Sequence, residues 1–115
     1  MRSDHEALAG EVLETIEAAA ALIQTFESFA ATLREFHHRL DDAGRLEDLY
    51  RELNLATERD SMYGAIAVFE QAFLRTRIRT YRSLYDDEGM TFTELGRLTG
   101  RSRQWVTKMY KNNSS

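Results

Sequence analysis

The sequence predicts an all-α chain, and three observations carry that expectation. It has no proline and only six glycines in 115 residues, so few positions can break a helix. Ala, Leu, Glu and Arg dominate, all of them strong helix formers. Apolar residues recur in steps of three and four, the period of a helix face, and the breaks fall at a few well-marked places.

The first expected element runs from about Ser3 to Leu40, interrupted only by Gly10, with Ser3 or Asp4 as its cap. Val12, Ile16, Ala19, Ile23, Phe26, Ala30, Leu33, His37 and Leu40 form a heptad seam along it. A second apolar row, Leu22, Phe26, Phe29, Leu33, Phe36 and Leu40, runs beside the seam. At ~1.5 Å per residue such a helix is on the order of 55 Å long, and its stripe is too long for one short partner. The long N-terminal helix is therefore expected to dimerise through Val12, Ile16, Ile23, Phe26, Leu33 and Leu40. The competing expectation is intramolecular pairing with the later helix 61–85.

The segment DDAG at 41–44 breaks the chain, and a short amphipathic helix comes next over 45–55 with Leu46, Leu49, Tyr50 and Leu53 on one side. Thr57 to Ser61 reads as a turn, with Asp60 or Ser61 capping the next helix. That second long helix is expected from Met62 to Tyr85, with Met62, Ile66, Phe69, Phe73, Ile78, Tyr81 and Tyr85 inward. The segment DDEG at 86–89 ends it, and residues 112–115 read as a frayed tail. The organisation that results is a helical oligomerisation region over 1–60 and a second region over 61–115.

Charge is divided unevenly between the two ends. Residues 1–74 carry 6 Lys/Arg against 15 Asp/Glu, a balance of −9; residues 75–115 carry 9 against 4, a balance of +5. An acidic chain of net charge −4 thus hides a basic end, the footprint expected where one segment meets nucleic acid.

The basic end contains TFTELGRLTGRSRQWVTKMYK, residues 91–111. Thr91 and Glu94 have capping-box spacing, and Leu95 and Leu98 give the helix after them an apolar side. Gly100 suits the left-handed residue that ends a helix. Ser102 can cap a second helix with Val106, Met109 and Tyr110 inward. Two helices around a short glycine turn make a helix-turn-helix.

In these residues the stretch resembles the bacterial and phage helix-turn-helix DNA-binding proteins, in particular the motif of sigma-factor region 4 and of small repressors. Leu95, Val106 and Met109 match the pattern's apolar positions, Gly96 its small crossing position and Gly100 its turn glycine. Thr99 and Arg101 depart from it. Leu98 is expected to cover the gap at Thr99 through a slight rotation of the crossing. The resemblance spans about a fifth of the chain.

It implies that the second helix enters the major groove, with Ser102, Arg103, Gln104, Thr107 and Lys108 facing the bases. Arg103 suits guanine, which offers two acceptors, and Gln104 suits adenine, which offers a donor and an acceptor. Thr91 or Thr93, Ser102 and Lys111 are placed for phosphate, and Arg101 is counted among the DNA-binding residues. Arg75, Arg79 and Arg82, with Arg77 alongside, share a face of the preceding helix. Two roles are open to them: phosphate contacts, or pairing with Glu11, Glu14 and Glu17. Trp105, the sole tryptophan, can pack on the preceding helix or lie along a DNA strand.

Enzyme chemistry is not expected, because no nucleophile–base pair or phosphate-cradling glycine loop is present. No cofactor is expected. Metal binding is not expected either: His37 and His38 are neighbours whose side chains point about 100° apart on a helix. The lack of cysteine suits a reducing cytoplasm. The first ten residues have charges of both signs, and no run nears ~18 apolar residues, so neither leader nor membrane span is expected. The expectation is a homodimeric, sequence-specific binder of double-stranded DNA, a cytoplasmic, nucleoid-associated transcriptional regulator. Two alternatives stand beside it. One is a helical adaptor or anti-regulator that binds RNA polymerase or another regulator; the other is a nucleoid or plasmid-partition protein.

Overall fold

A computed structural model describes the backbone of residues 2–112 and the side chains of residues 5–111. The cap expected at Ser3 or Asp4 and the tail expected at 112–115 lie outside the described side chains. Among the described residues the fold is all-α, with no strand. The helices are α1 (Arg2–Arg39), α2 (Leu46–Glu52), α3 (Leu55–Arg82), α4 (Phe92–Thr99) and α5 (Arg103–Asn112), with a π-helical turn over Ser83–Asp87. No helix of the described residues is long and apolar enough to cross a membrane.

The chain divides into two compact units, one of Met1–Thr15 with Ala72–Ser115 and the other of Ile16–Gln71. The division runs through α1 and α3 and does not fall at residue 60.

In the first unit α1 and α3 run antiparallel. Thr15 and Thr76 share a hydrogen bond of 2.9 Å, Arg75 reaches Glu14 at 3.4 Å, and Arg79 reaches Glu11 at 2.9 Å. The covered side of α1 here is Leu8, Glu11 and Thr15, and that of α3 is Ala72, Thr76 and Arg79.

In the second unit the covered column of α1 is Ala18, Leu22, Thr25, Phe29, Thr32 and Phe36, and that of α3 is Leu55, Glu58, Met62, Ala65 and Phe69. Both columns step by three and four, as in a coiled coil. The threonines fit because their hydroxyls turn back to the helix itself: Thr25 donates to the Ala21 carbonyl and Thr32 to that of Ser28. The covered column of α1 therefore stands one residue before the expected seam. Val12, Ile16, Ile23, Phe26, Leu33 and Leu40 are exposed. On α3, Phe73 is also more open than the sequence suggested, as is Tyr85 in the turn beyond it.

Three boundaries differ from expectation. No turn occurs at 57–61, and neither Asp60 nor Ser61 is a cap. Asn54 takes the left-handed conformation instead (φ 54°), and α3 starts at the buried Leu55. Asp60 and Ser61 are then solvated helix residues, which costs little at exposed positions. α2 is shorter than expected and buries Leu49, while Leu46 and Tyr50 remain exposed. α3 passes at Ser83 into the π turn, closed by the Glu88 amide donating to the Ser83 carbonyl at 3.1 Å.

Candidate nucleic-acid interface

The segment 91–112 forms two helices held by the local chemistry its sequence contains. Thr91 is extended, its hydroxyl accepts from the Glu94 amide at 3.1 Å, and its own amide donates to Glu94 Oε1 at 3.0 Å. These bonds satisfy two amides that a helix start leaves open. The Glu94 carboxyl is held below its ordinary pKa, first by the Thr91 amide that donates to it and next by the Thr91 hydroxyl beside it, because both favour the charged form. Gly100 ends α4 with φ 73°. The Ser102 hydroxyl then accepts from the Trp105 amide at 3.0 Å and starts α5.

Gly96 is fixed as glycine by the turn. A Cβ there would lie 2.6 Å from the Arg101 carbonyl oxygen, and the Arg101 amide already donates to the Gly96 carbonyl at 2.9 Å. The turn passes too close for any side chain.

Leu95 and Val106 are fully buried between the two helices. Leu98 does not cover the position beside Thr99: it is 63% exposed. Thr99 fills its own half-buried place, because its hydroxyl donates to the Leu95 carbonyl at 2.8 Å and needs no other partner.

Aromatic rings fasten this pair to the end of α3 and the π turn. Tyr85 stacks on Phe92 at 4.6 Å, and Tyr110 lies 4.9 Å from Tyr85 and 5.5 Å from Phe92. The Tyr110 hydroxyl donates to Asp86 at 2.8 Å, which raises its pKa since that bond exists only while the proton stays. Trp105 is half-buried edge-on to Tyr81 at 6.2 Å, and the Arg101 guanidinium lies 4.7 Å from its ring. Of its two open roles, the indole takes packing.

With Val106, Met109 and Tyr110 inward, the opposite side of α5 faces solvent. Arg103, Gln104, Lys108 and Lys111 are exposed along one stripe, with Thr107 half-buried between them. The Thr107 hydroxyl donates to the Arg103 carbonyl at 2.8 Å, so its outer surface is mostly methyl. Ser102, Arg101 and Thr93 are exposed nearby. Residues 91–112 hold five Lys/Arg (97, 101, 103, 108, 111) against one acid (Glu94), a balance of +4. Among the described residues, Arg97, Arg101, Arg103 and Lys108 enter no salt bridge with a carboxylate.

The arginine row on α3 is placed differently. Arg75 and Arg79 face Glu14 and Glu11, which is the pairing role rather than open display. The Arg79–Glu11 contact is one of charge, since the Nε–H does not point along it. Arg77 lies over the Phe73 ring at 5.0 Å. Arg75, Arg79 and Arg82 line a cleft of about 410 Å³ with Glu11, Asp86 and Asp87, so three positive groups meet three negative ones. That balance makes the cleft a poorer phosphate seat than α5.

Comparison with family models, curated proteins and solved structures gave no match for this chain. Among the described residues no group of three His, Asp or Glu side chains could hold a metal ion. Sequence reasoning passed over two residues that shape this candidate surface. Arg97, exposed near the end of α4, belongs to the same basic surface, and its charge was the available signal. Asp86 was read only as a helix breaker, and nothing local showed that Tyr110 would reach it.

Proposed function

We propose that this chain binds double-stranded DNA sequence-specifically by laying α5 into the major groove, as a homodimeric transcriptional regulator. The observation that supports it most is the outer stripe of α5, where Arg103, Gln104 and Lys108 stand exposed on a rigid helix within a surface of net charge +4. Arg103 and Gln104 read base edges, Lys108 reaches along the groove, and Ser102, Lys111, Arg101 and Thr93 hold phosphates. Two copies would address half-sites about one helical turn apart, or a multiple of it. Arg79 and Arg82 join the contact only where DNA outcompetes the carboxylates around them.

A mobility-shift titration across salt tests this reading. Binding should weaken steeply as salt rises, because each neutralised phosphate releases counterions. Arg103→Ala should lose about 1–3 kcal/mol of discrimination at one base pair, whereas Lys111→Ala should weaken every sequence alike and lower the salt slope by about 1. No shift of any duplex at low salt refutes it. Shifts that random DNA competes away equally well would favour a nucleoid or plasmid-partition role.

A second reading has its own support in the exposed apolar residues of α1 and the acidity of residues 1–74. On that reading the chain is an adaptor whose long helix binds RNA polymerase or another regulator. Capture of such a protein without DNA, together with no mobility shift, would favour it.

A further inference from the structure

The seam on α1 is left uncovered by its own chain. Ile16 and Ile23 are each 58% exposed, and Phe26, Leu33 and Leu40 are 42%, 42% and 41% exposed. The neighbouring column of α1, from Ala18 to Phe36, is the one the unit covers, and these side chains stay open beside it. Four of these five large apolar side chains stand in heptad register on α1 and Leu40 follows in the turn just beyond it, more than a solvated face carries.

We propose that a second copy of this chain docks antiparallel along this seam, with Ala30 of one copy opposite Leu33 of the other. Two features of the seam select that arrangement. In an antiparallel pair about a twofold axis between Ala30 and Leu33, the facing residues are Ala30 with Leu33, Phe26 with His37 and Ile23 with Leu40. Small faces large in the central layers, which fills space evenly. A parallel pair sets Phe26 on Phe26 and leaves an Ala30 layer too thin to fill.

Charge gives the second feature. Glu27 and Arg34 are exposed beside the seam, seven residues apart and on the same flank, and neither enters a salt bridge among the described residues. The same twofold axis brings Glu27 of each copy beside Arg34 of the other, twice over. An interface that uses one patch on both partners requires this kind of self-complementarity. In a parallel pair these flanks lie on opposite sides and do not meet. A partner of different sequence would have no reason to find acid and base at that spacing.

This inference rests on the homodimer part of the proposed function and is tested without DNA. The chain has no cysteine, so Ala30→Cys and Leu33→Cys each place a single thiol in the seam. Facing positions in such a pair come within about 6 Å between Cα atoms, inside disulfide reach. Under mild oxidation an equal mixture of the two variants should form a covalent heterodimer, recognised by mass, well ahead of either variant alone. Homodimers from each variant alone, with no gain on mixing, would make the pairing parallel and overturn the proposal while leaving the homodimer intact. A monomer in sedimentation at micromolar concentration would overturn both, whatever the mobility shifts show. Charge provides a readout that does not depend on thiols. Glu27→Arg should weaken the dimer about tenfold by placing like charges together, and Arg34→Glu in the same chain should restore it. Failure of the double variant to recover would also count against this register.

Discussion

The helix pair α4–α5 and the α1 segment from Ile16 to Arg39 use apolar residues in opposite ways. The pair commits Leu95 and Val106 wholly to its interior and leaves a polar, basic stripe outside. The α1 segment buries Ala18 and half-buries Leu22 and Phe29, yet holds Ile16, Ile23 and Leu33 toward solvent. One region closes its core within about twenty residues, and apart from Leu98 its free surface is polar. The other keeps surplus apolar surface open. The difference separates a surface suited to a charged, hydrated partner from one suited to a dry partner.

The largest expected effect is at the centre of the closed region. Leu95→Ala should cost about 2–5 kcal/mol, because a fully buried leucine leaves a cavity that two capped helices cannot readily collapse. Ile23→Ala, at a position more than half exposed, should cost far less in the isolated chain and act chiefly on self-association. Chemical denaturation at several protein concentrations compares them. Equal, concentration-independent losses would erase the contrast.

The sequence made one of these regions far easier to read than the other, for a physical reason. Capping at Thr91 and Ser102, the turn at Gly100 and the inward set Leu95, Val106, Met109 and Tyr110 are all specified by residues within a few positions of each other. On α1 the choice of covered column depended on a distant partner. The most apolar column was expected to meet a second copy, with pairing inside the chain as the alternative; the chain covers the neighbouring column instead, where Thr15, Thr25 and Thr32 bond back to their own helix and offer small, flat surfaces. Apolar content alone cannot rank two adjacent columns when hydroxyls bond back to their own helix. The same limit hid the Asp86–Tyr110 bond, whose partners stand 24 residues apart. It also hid the start of α3, set by a left-handed Asn54 that no simple turn signal marked. The arginine row was undecided from sequence because its alternatives, phosphate and Glu11 or Glu14, differ only in what lies opposite.

Smaller effects sharpen the contrast from the closed side. Gly96→Ala should destabilise the helix pair by about 1–3 kcal/mol, because the new methyl meets the backbone of the Arg101 turn, which cannot swing aside as a side chain does. Gly100→Ala should cost about 1–2 kcal/mol for a different reason: it has open space around it but a left-handed backbone. Gly64, inside α3, has open space and no such backbone, so Gly64→Ala should stabilise by up to about 1 kcal/mol. Thermal unfolding of the three variants gives opposite signs only if the turn is as tight as its geometry indicates.

The smallest expected effect concerns the start of α4 and depends on pH. Bonds to the Thr91 amide and hydroxyl favour the charged Glu94 carboxylate, so its pKa is lower folded than unfolded. The stabilisation linked to that shift is fully present above the unfolded carboxylate value of about 4.3. It is lost as pH falls through the depressed folded value. Hydrogen exchange of the α4 amides should therefore quicken on acidification in the native chain, relative to exchange of α3, after correction for the intrinsic rate. Glu94→Gln removes the titrating group, and its α4 protection should be flat across the same range. Tyr110 provides the opposite sign at the far end of the motif. Its raised pKa stabilises the bond to Asp86 below about pH 10, and that contribution fades as pH rises through the raised value. An acid-sensitive α4 start and a base-sensitive α5 end would show that two local bonds, separately titrated, hold the start of α4 and tie the end of α5 to the π turn. A single transition common to both ends, unchanged in Glu94→Gln and Tyr110→Phe, would mean that packing of Leu95 and Val106 alone decides the stability of the pair.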